Sequence, residues 1–212
     1  ILPVFERAFG PYPFPQLTFV ENRFQGASGQ AHPGCMTIQS ERVTPEQEAS
    51  LMNQLLTHEL AHQWWSSGLP KWVAESGAVY ANYHFLEQSE GRERAKWLLD
   101  ETLYDPYIQS NSAMTPLVSE YENKRSIYAR GGYLLVMLET LLGKDKLLQT
   151  LRNYYERHSQ SSMADEDEMN RDLEQTLQQA VGEEWRGFVS DWMHSTKRFD
   201  PAIVSLRQKQ LD

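Results

Sequence analysis

The 212-residue chain is 40% hydrophobic and 11% aromatic, enough apolar material for one sizeable core and short for two independent ones. Its formal net charge of -9 is spread over both halves without a basic stripe, so nucleic acid is not an expected partner. No apolar run approaches the roughly 20 residues that cross a bilayer, and the first residues lack the pattern of a signal peptide. The segment is therefore expected to be soluble and without membrane contact, and its composition leaves localisation open.

The chain begins at Ile1, inside an apolar, proline-rich stretch and without an initiator Met, which suggests a fragment of a larger protein with additional domains. Residues 1–212 read as a single domain, strand-rich over 1–43 and helical over 44–212. In the first part, Leu17-Thr18-Phe19-Val20 and Cys35-Met36-Thr37-Ile38 are short apolar runs between Gly/Ser/Gln turns, and they predict strands. Cys35 is the only cysteine, which rules out an internal disulfide and fits a small buried hydrophobe.

From Thr44 the pattern changes. Thr44-Pro45-Glu46-Gln47 combines an N-cap residue, a proline at the first helical position and a capping-box glutamine. Apolar positions then recur at helical spacing through Leu51, Met52, Leu55, Leu56, Ala61 and Trp65 until Ser66-Ser67-Gly68-Leu69-Pro70 breaks them, predicting a helix over 45–66. Further helices are predicted over 71–88 and 92–103, followed by an irregular stretch through Asn123 that is a candidate cleft wall. Helical periodicity returns from Ile127 to a C-cap at Gly143, then over 144–157, 165–180 and 183–195. The acidic run Asp165-Glu166-Asp167-Glu168 falls where a helix begins, and a solvated helix start explains it.

The chemistry concentrates in His58-Glu59-Leu60-Ala61-His62. Two imidazoles at i and i+4 share one helix face, and Glu59 sits about 100° round, beside that face. Neutral imidazoles bind zinc while leaving it Lewis-acidic, and a neighbouring carboxylate can take a proton from water. The five-residue pattern alone can arise by chance, so a third ligand has to decide. Glu75 is the candidate, thirteen positions beyond His62 and about one turn into the next helix. A tight reversal between the two helices would bring it to the height of the histidines.

Longer stretches then carry a resemblance. Residues His58 to Trp64 match the HELAHQW stretch of the aminopeptidase N family of gluzincin zinc metallopeptidases. The segment Trp72-Val73-Ala74-Glu75-Ser76-Gly77 resembles that family's W-L-N-E-G-F, and Phe14-Pro15-Gln16-Leu17 and Pro33-Gly34-Cys35-Met36-Thr37 resemble its strand segments. Ile127-Tyr128-Ala129-Arg130-Gly131-Gly132 resembles its Y-E-K-G-A, and Trp185 to Trp192 its W-x-x-F-F-x-x-W helix.

The resemblance implies a thermolysin-like α+β catalytic domain, predominantly helical, in which a small N-terminal β edge is followed by a helical bundle. It further implies one zinc ion per chain, a peptide substrate, and Tyr128 as the group that stabilises the oxyanion. Two departures stand out. Twelve residues separate His62 from Glu75 where the family usually has eighteen. The family's G-A-M-E-N aligns with Ser28-Gly29-Gln30-Ala31-His32, so Ala31 replaces the glutamate that would hold a free amino terminus. Gln30, Ala31 and His32 are the candidate substrate-binding positions, although His32 also fits a cap for the turn before Pro33. Trp64, Trp65 and Trp72 read either as a substrate platform or as dry packing around the metal helix, and packing is expected.

The expected function is zinc-dependent peptide-bond hydrolysis, aminopeptidase-like, by metal-activated water with Glu59 as general base. The rival readings are hydrolysis of a nonpeptide bond and a zinc-containing binding module without turnover.

Overall fold

A computed structural model describes residues 1–21, 29–39, 48–65, 68–104, 115–119, 125–158 and 166–196. The Thr44–Gln47 capping signal and most of the irregular stretch before Asn123 lie outside these residues, as do Ser28, Ser66, Ser67 and Asp165. Among the described residues no helix is long and apolar enough to cross a membrane.

The first element departs from the strand-rich expectation, because Leu2–Phe9 is a helix, α1. Pro3 is tolerated in its first turn, where the missing N–H would be unpaired in any case. Phe5, Ala8 and Phe9, spaced i, i+3, i+4, turn one face into the core. Three short strands follow: β1 (Thr18–Glu21), β2 (Gly29–His32) and β3 (Cys35–Ile38). The sheet order is β1-β3-β2, with β1 parallel and β2 antiparallel to β3, so β2 forms an edge. His32 pairs with Cys35 across the tight turn at Pro33-Gly34, where Gly34 has a φ of 68° that a side chain would oppose.

The rest is helical: α2 (Glu48–Ala61), α3 (Lys71–Glu90), α4 (Arg92–Leu98), α5 (Gly131–Leu142), α6 (Lys144–His158), α7 (Glu166–Val181) and α8 (Arg186–His194). Leu99–Tyr104 and Arg125–Arg130 are π-helical, and Leu117–Ser119 and Glu183–Trp185 are single 3₁₀ turns. The architecture is thus α+β and mostly helical, as expected. The helix predicted to reach residue 66 stops at Ala61, where i→i−3 bonds from Gln63 to Leu60 (3.0 Å) and Trp64 to Ala61 (3.0 Å) tighten the last turn.

α3 runs through the middle of the bundle and packs against α2, α4, α5 and the second π-helical segment. Trp64, Trp65 and Trp72 are fully buried, so the packing reading of this cluster is the one realised. The Trp64 indole N–H donates to the Gly10 carbonyl (3.1 Å), tying the end of α2 to α1, and that of Trp72 donates to Asn170 (2.8 Å), tying α3 to α7.

The approach of α3 to the end of α2 depends on Gly77. A Cβ there would lie 2.4 Å from the Trp65 ring, a rigid buried group that cannot swing aside. Mid-helix glycine costs about 1 kcal/mol relative to alanine, yet Gly77→Ala is expected to lose roughly 1 to 3 kcal/mol through overpacking. Chemical denaturation of the two proteins measures this, and an equal or raised midpoint would show that the contact is looser than described.

Candidate active site

The end of α2 and the first turn of α3 bring three donors together. Nε2 of His58 lies 3.2 Å from Nε2 of His62, and Oε2 of Glu75 lies 3.3 Å from the first and 3.4 Å from the second. A tetrahedral zinc ion with bonds of roughly 2.0 to 2.1 Å needs donors about 3.3 Å apart, so the triangle has the size such an ion requires. Among the described residues this is the only cluster of three or more His, Cys, Asp or Glu suited to hold a metal.

Local bonds orient the donors. Nδ1–H of His62 donates to the Trp65 carbonyl at 2.7 Å, which leaves the Nε2 lone pair pointing at the other two donors. The tightened turn after Ala61 is what presents that carbonyl. Glu75 lies four residues into α3, as its distance from the Pro70 break predicts.

The electrostatics follow from burial and mutual contact. Burial pushes the His58 imidazole below its ordinary value, against the pull of Glu75. For His62 burial acts in the same sense but is outweighed by Glu75 and the Trp65 carbonyl, so its pKa is raised. Burial would raise Glu75 too, yet the two imidazoles and the Tyr128 hydroxyl hold it well below the usual carboxylate range. Glu75 therefore stays ionised, the state in which a carboxylate can bind a metal.

Glu59 stands outside the triangle, 6% exposed, and burial lifts its carboxyl to about 7. That value suits a group that must accept and return a proton near neutrality, and a divalent cation beside it would draw it down. Gly29 on β2 lies directly against it: a Cβ at 29 would come within 2.6 Å of Glu59 Cγ and Oε1.

Tyr128 lies in the π-helical segment, its ring stacked on His58 with centroids 5.8 Å apart and planes at 17°. Burial first, and then the Glu75 charge, raise its phenol far above the ordinary range, so the hydroxyl remains a donor, bonded here to Glu75. Two ties hold this segment. Ser76 Oγ donates to the Ile127 carbonyl at 2.8 Å, linking the residue after Glu75 to the residue before Tyr128. Arg130 and Trp192 exchange bonds, Arg130 Nη2 to the Trp192 carbonyl (2.6 Å) and Trp192 Nε1–H to the Arg130 carbonyl (3.1 Å), anchoring the segment to α8.

These groups line a cleft of about 550 Å³ whose walls include Phe14, Leu69 and Lys71 and the whole of β2, so Gln30, Ala31 and His32 are all among its lining residues. Two residues that position the site were not singled out from the sequence. Gln63 is buried and accepts from the Gly34 N–H (2.9 Å) and the Tyr12 hydroxyl (3.1 Å) while donating to the His32 carbonyl (3.0 Å). It pins the β2–β3 hairpin to the turn that follows α2, beside His62. Gly29 is the other, and its available signal was a glycine within the segment aligned to the family's G-A-M-E-N.

Two imidazoles on one helix turn, a carboxylate from the next helix and an open cleft beside a sheet edge make an arrangement that could hold a metal ion, as in a metallopeptidase-type domain. Residues 1–192 match the Peptidase family M1 domain, and the chain belongs to that family. It is 23% identical over 228 residues to a protein named probable aminopeptidase 1 of Sulfurisphaera tokodaii, covering 96% of this chain and 28% of that protein. It is 24% identical over 231 residues to aminopeptidase M1 of Arabidopsis thaliana, covering 98% and 25%. The fold is similar to the crystal structure of an M1 zinc metallopeptidase from Deinococcus radiodurans, with a TM-score of 0.74 and 21% identity over 97% of this chain and 45% of that one. It is similar also to native yeast LTA4 hydrolase, with a TM-score of 0.69 and 19% identity over 95% and 35%. The chain thus spans about a quarter of the length of these curated relatives and less than half of these solved chains.

Proposed function

We propose that this chain is the catalytic domain of a zinc-dependent peptidase, aminopeptidase-like in its chemistry, within a parent protein that carries further domains. The observation that carries the reading is the donor triangle of His58, His62 and Glu75, whose edges match a tetrahedral zinc ion. Two neutral imidazoles and one carboxylate form the three-ligand set that leaves a coordination position open for chemistry.

Zinc, when bound by these three side chains, supplies Lewis acidity that polarises the scissile carbonyl and acidifies water. The protein's own groups do the rest. Among the described residues β2 is an edge strand whose outer side has no strand neighbour, and it lies along the cleft, so an extended peptide can be held as an added strand. Glu59 takes the proton of the attacking water and passes it to the departing amine. Tyr128 donates its hydroxyl proton in a hydrogen bond to the oxyanion as charge develops there. A binding module without turnover would need neither of these two groups, and both line the cleft.

The test combines zinc content with cleavage of matched peptides bearing free or acetylated amino termini. One zinc per chain with cleavage of the free-ended set is the expected result. Cleavage of both sets would make this an endopeptidase or a relaxed site. Zinc without turnover of either peptide set, while an ester or epoxide is hydrolysed, would replace the peptidase reading with another hydrolase. Zinc with no turnover of any kind would leave a binding module.

A further inference from the structure

A peptide added to the β2 edge meets Glu59 and the donor triangle only if the strand keeps a fixed position over the end of α2. Both ends of β2 touch that region. At one end Gly29 lies against Glu59, so closely that a Cβ would come within 2.6 Å of the carboxylate side chain. Three residues on, roughly 10 Å along the strand, the His32 carbonyl accepts from Gln63 Nε2–H at 3.0 Å. In the turn that follows, the Gly34 N–H donates to Gln63 Oε1 at 2.9 Å.

Gln63 directly follows His62, and its own N–H is bonded to the Leu60 carbonyl (3.0 Å) in the tightened turn that closes α2. That turn also brings up the Trp65 carbonyl that orients His62. One short piece of backbone therefore presents an imidazole to the triangle and an amide to the hairpin. The Gln63 side chain has a third partner, the Tyr12 hydroxyl, which donates to Oε1 at 3.1 Å and also reaches the Gln16 carbonyl at 3.2 Å. Gln63 is 2% exposed, so water does not compete for these bonds. The role calls for an amide, which accepts and donates at once, whereas a methionine of similar length offers at most a weak acceptor.

We propose that Gln63 is a positioning residue for substrate. It holds the β2 edge in register with His58, Glu59 and His62, so that the site favours extended peptides, which lie along β2, over ligands of one or two residues. This rests on the peptidase reading given above.

The test is calorimetric binding of penta-alanine and of alanyl-alanine to the zinc-loaded full chain carrying Glu59→Gln, so that both peptides survive. Adding Gln63→Met is expected to weaken penta-alanine about tenfold, the scale of a lost hydrogen bond, and to leave alanyl-alanine and the zinc content unchanged. A fault in folding or in metal retention would lower both peptides in proportion, so the ratio of the two affinities reports the edge alone. Tyr12→Phe is the milder probe, because it removes one hydroxyl and keeps the ring against Trp64 and Phe14. It should move the same ratio in the same direction by a smaller factor, and it carries the test if Gln63→Met does not fold. An unchanged ratio in Gln63→Met, or in Tyr12→Phe where Gln63→Met does not fold, overturns the proposal, as does failure of the chain with Gln63 intact to bind penta-alanine. The peptidase reading fails separately, if the chain with Glu59 intact shows this dependence on Gln63 and cleaves nothing.

Discussion

Replacing Glu59 with glutamine is expected to remove nearly all hydrolysis, by about 10² to 10⁴ in kcat, while leaving the metal in place. The amide has the shape of the carboxylate and keeps its contact with Gly29, but it has no basic oxygen to accept a proton from water. None of the three donors is touched, so metal analysis should still find one zinc per chain. Folding should not suffer, because burial disfavours the charged carboxylate at this position. The variant should therefore unfold no more easily than its parent. Full activity in Glu59→Gln would remove the general base from the proposed mechanism, and loss of zinc would move Glu59 from base to ligand.

Removing the Tyr128 hydroxyl as Tyr128→Phe is expected to lower kcat by about 10² to 10³, the effect of deleting one preorganised oxyanion donor. The ring that stacks on His58 is retained, and KM should change little because the donor acts on charge that develops only in the transition state. The same hydroxyl bonds to Glu75, which makes a second outcome possible to distinguish. If activity falls in proportion to zinc occupancy and returns on adding zinc, Tyr128 positions a ligand and the oxyanion role is lost. A kcat that stays low at full zinc occupancy supports the donor role.

Much of the frame was legible because it depends on local periodicity. The i, i+4 spacing of His58 and His62 gives a shared face on any helix, and Gly143 ends α5 with a φ of 79° as its position after the last apolar residue predicts. The strands read from Leu17–Val20 and Cys35–Ile38 appear as β1 and β3, and α3 begins where Pro70 ends the break. The acidic residues from Glu166 open α7.

The errors share a cause as well. Residues 2–9 lie in a proline-rich stretch that favours strands and turns, yet Pro3 sits in a first helical turn and the Phe5/Phe9 face finds Trp64 to pack against. The early stop of α2 at Ala61 leaves the Trp65 carbonyl facing His62, and a pattern of apolar positions carries no information on that bond. Gln63 looked like an ordinary polar residue beside a motif, but its partners lie 29 to 51 positions away.

The sequence by itself determined which residues could bind a metal and take a proton, since side-chain chemistry and helical spacing are local properties. It also determined where α3 begins and therefore how far Glu75 stands from its start. Only the tertiary structure decided that the three donors close to 3.2–3.4 Å, that Gly29 meets Glu59 and that Lys71 shares the cleft. Those distances arise from packing between α2, α3, β2 and the Tyr128 segment. Such packing is set by the complementary shapes of side chains distant in the chain, such as Gly77 against Trp65 and Arg130 against Trp192.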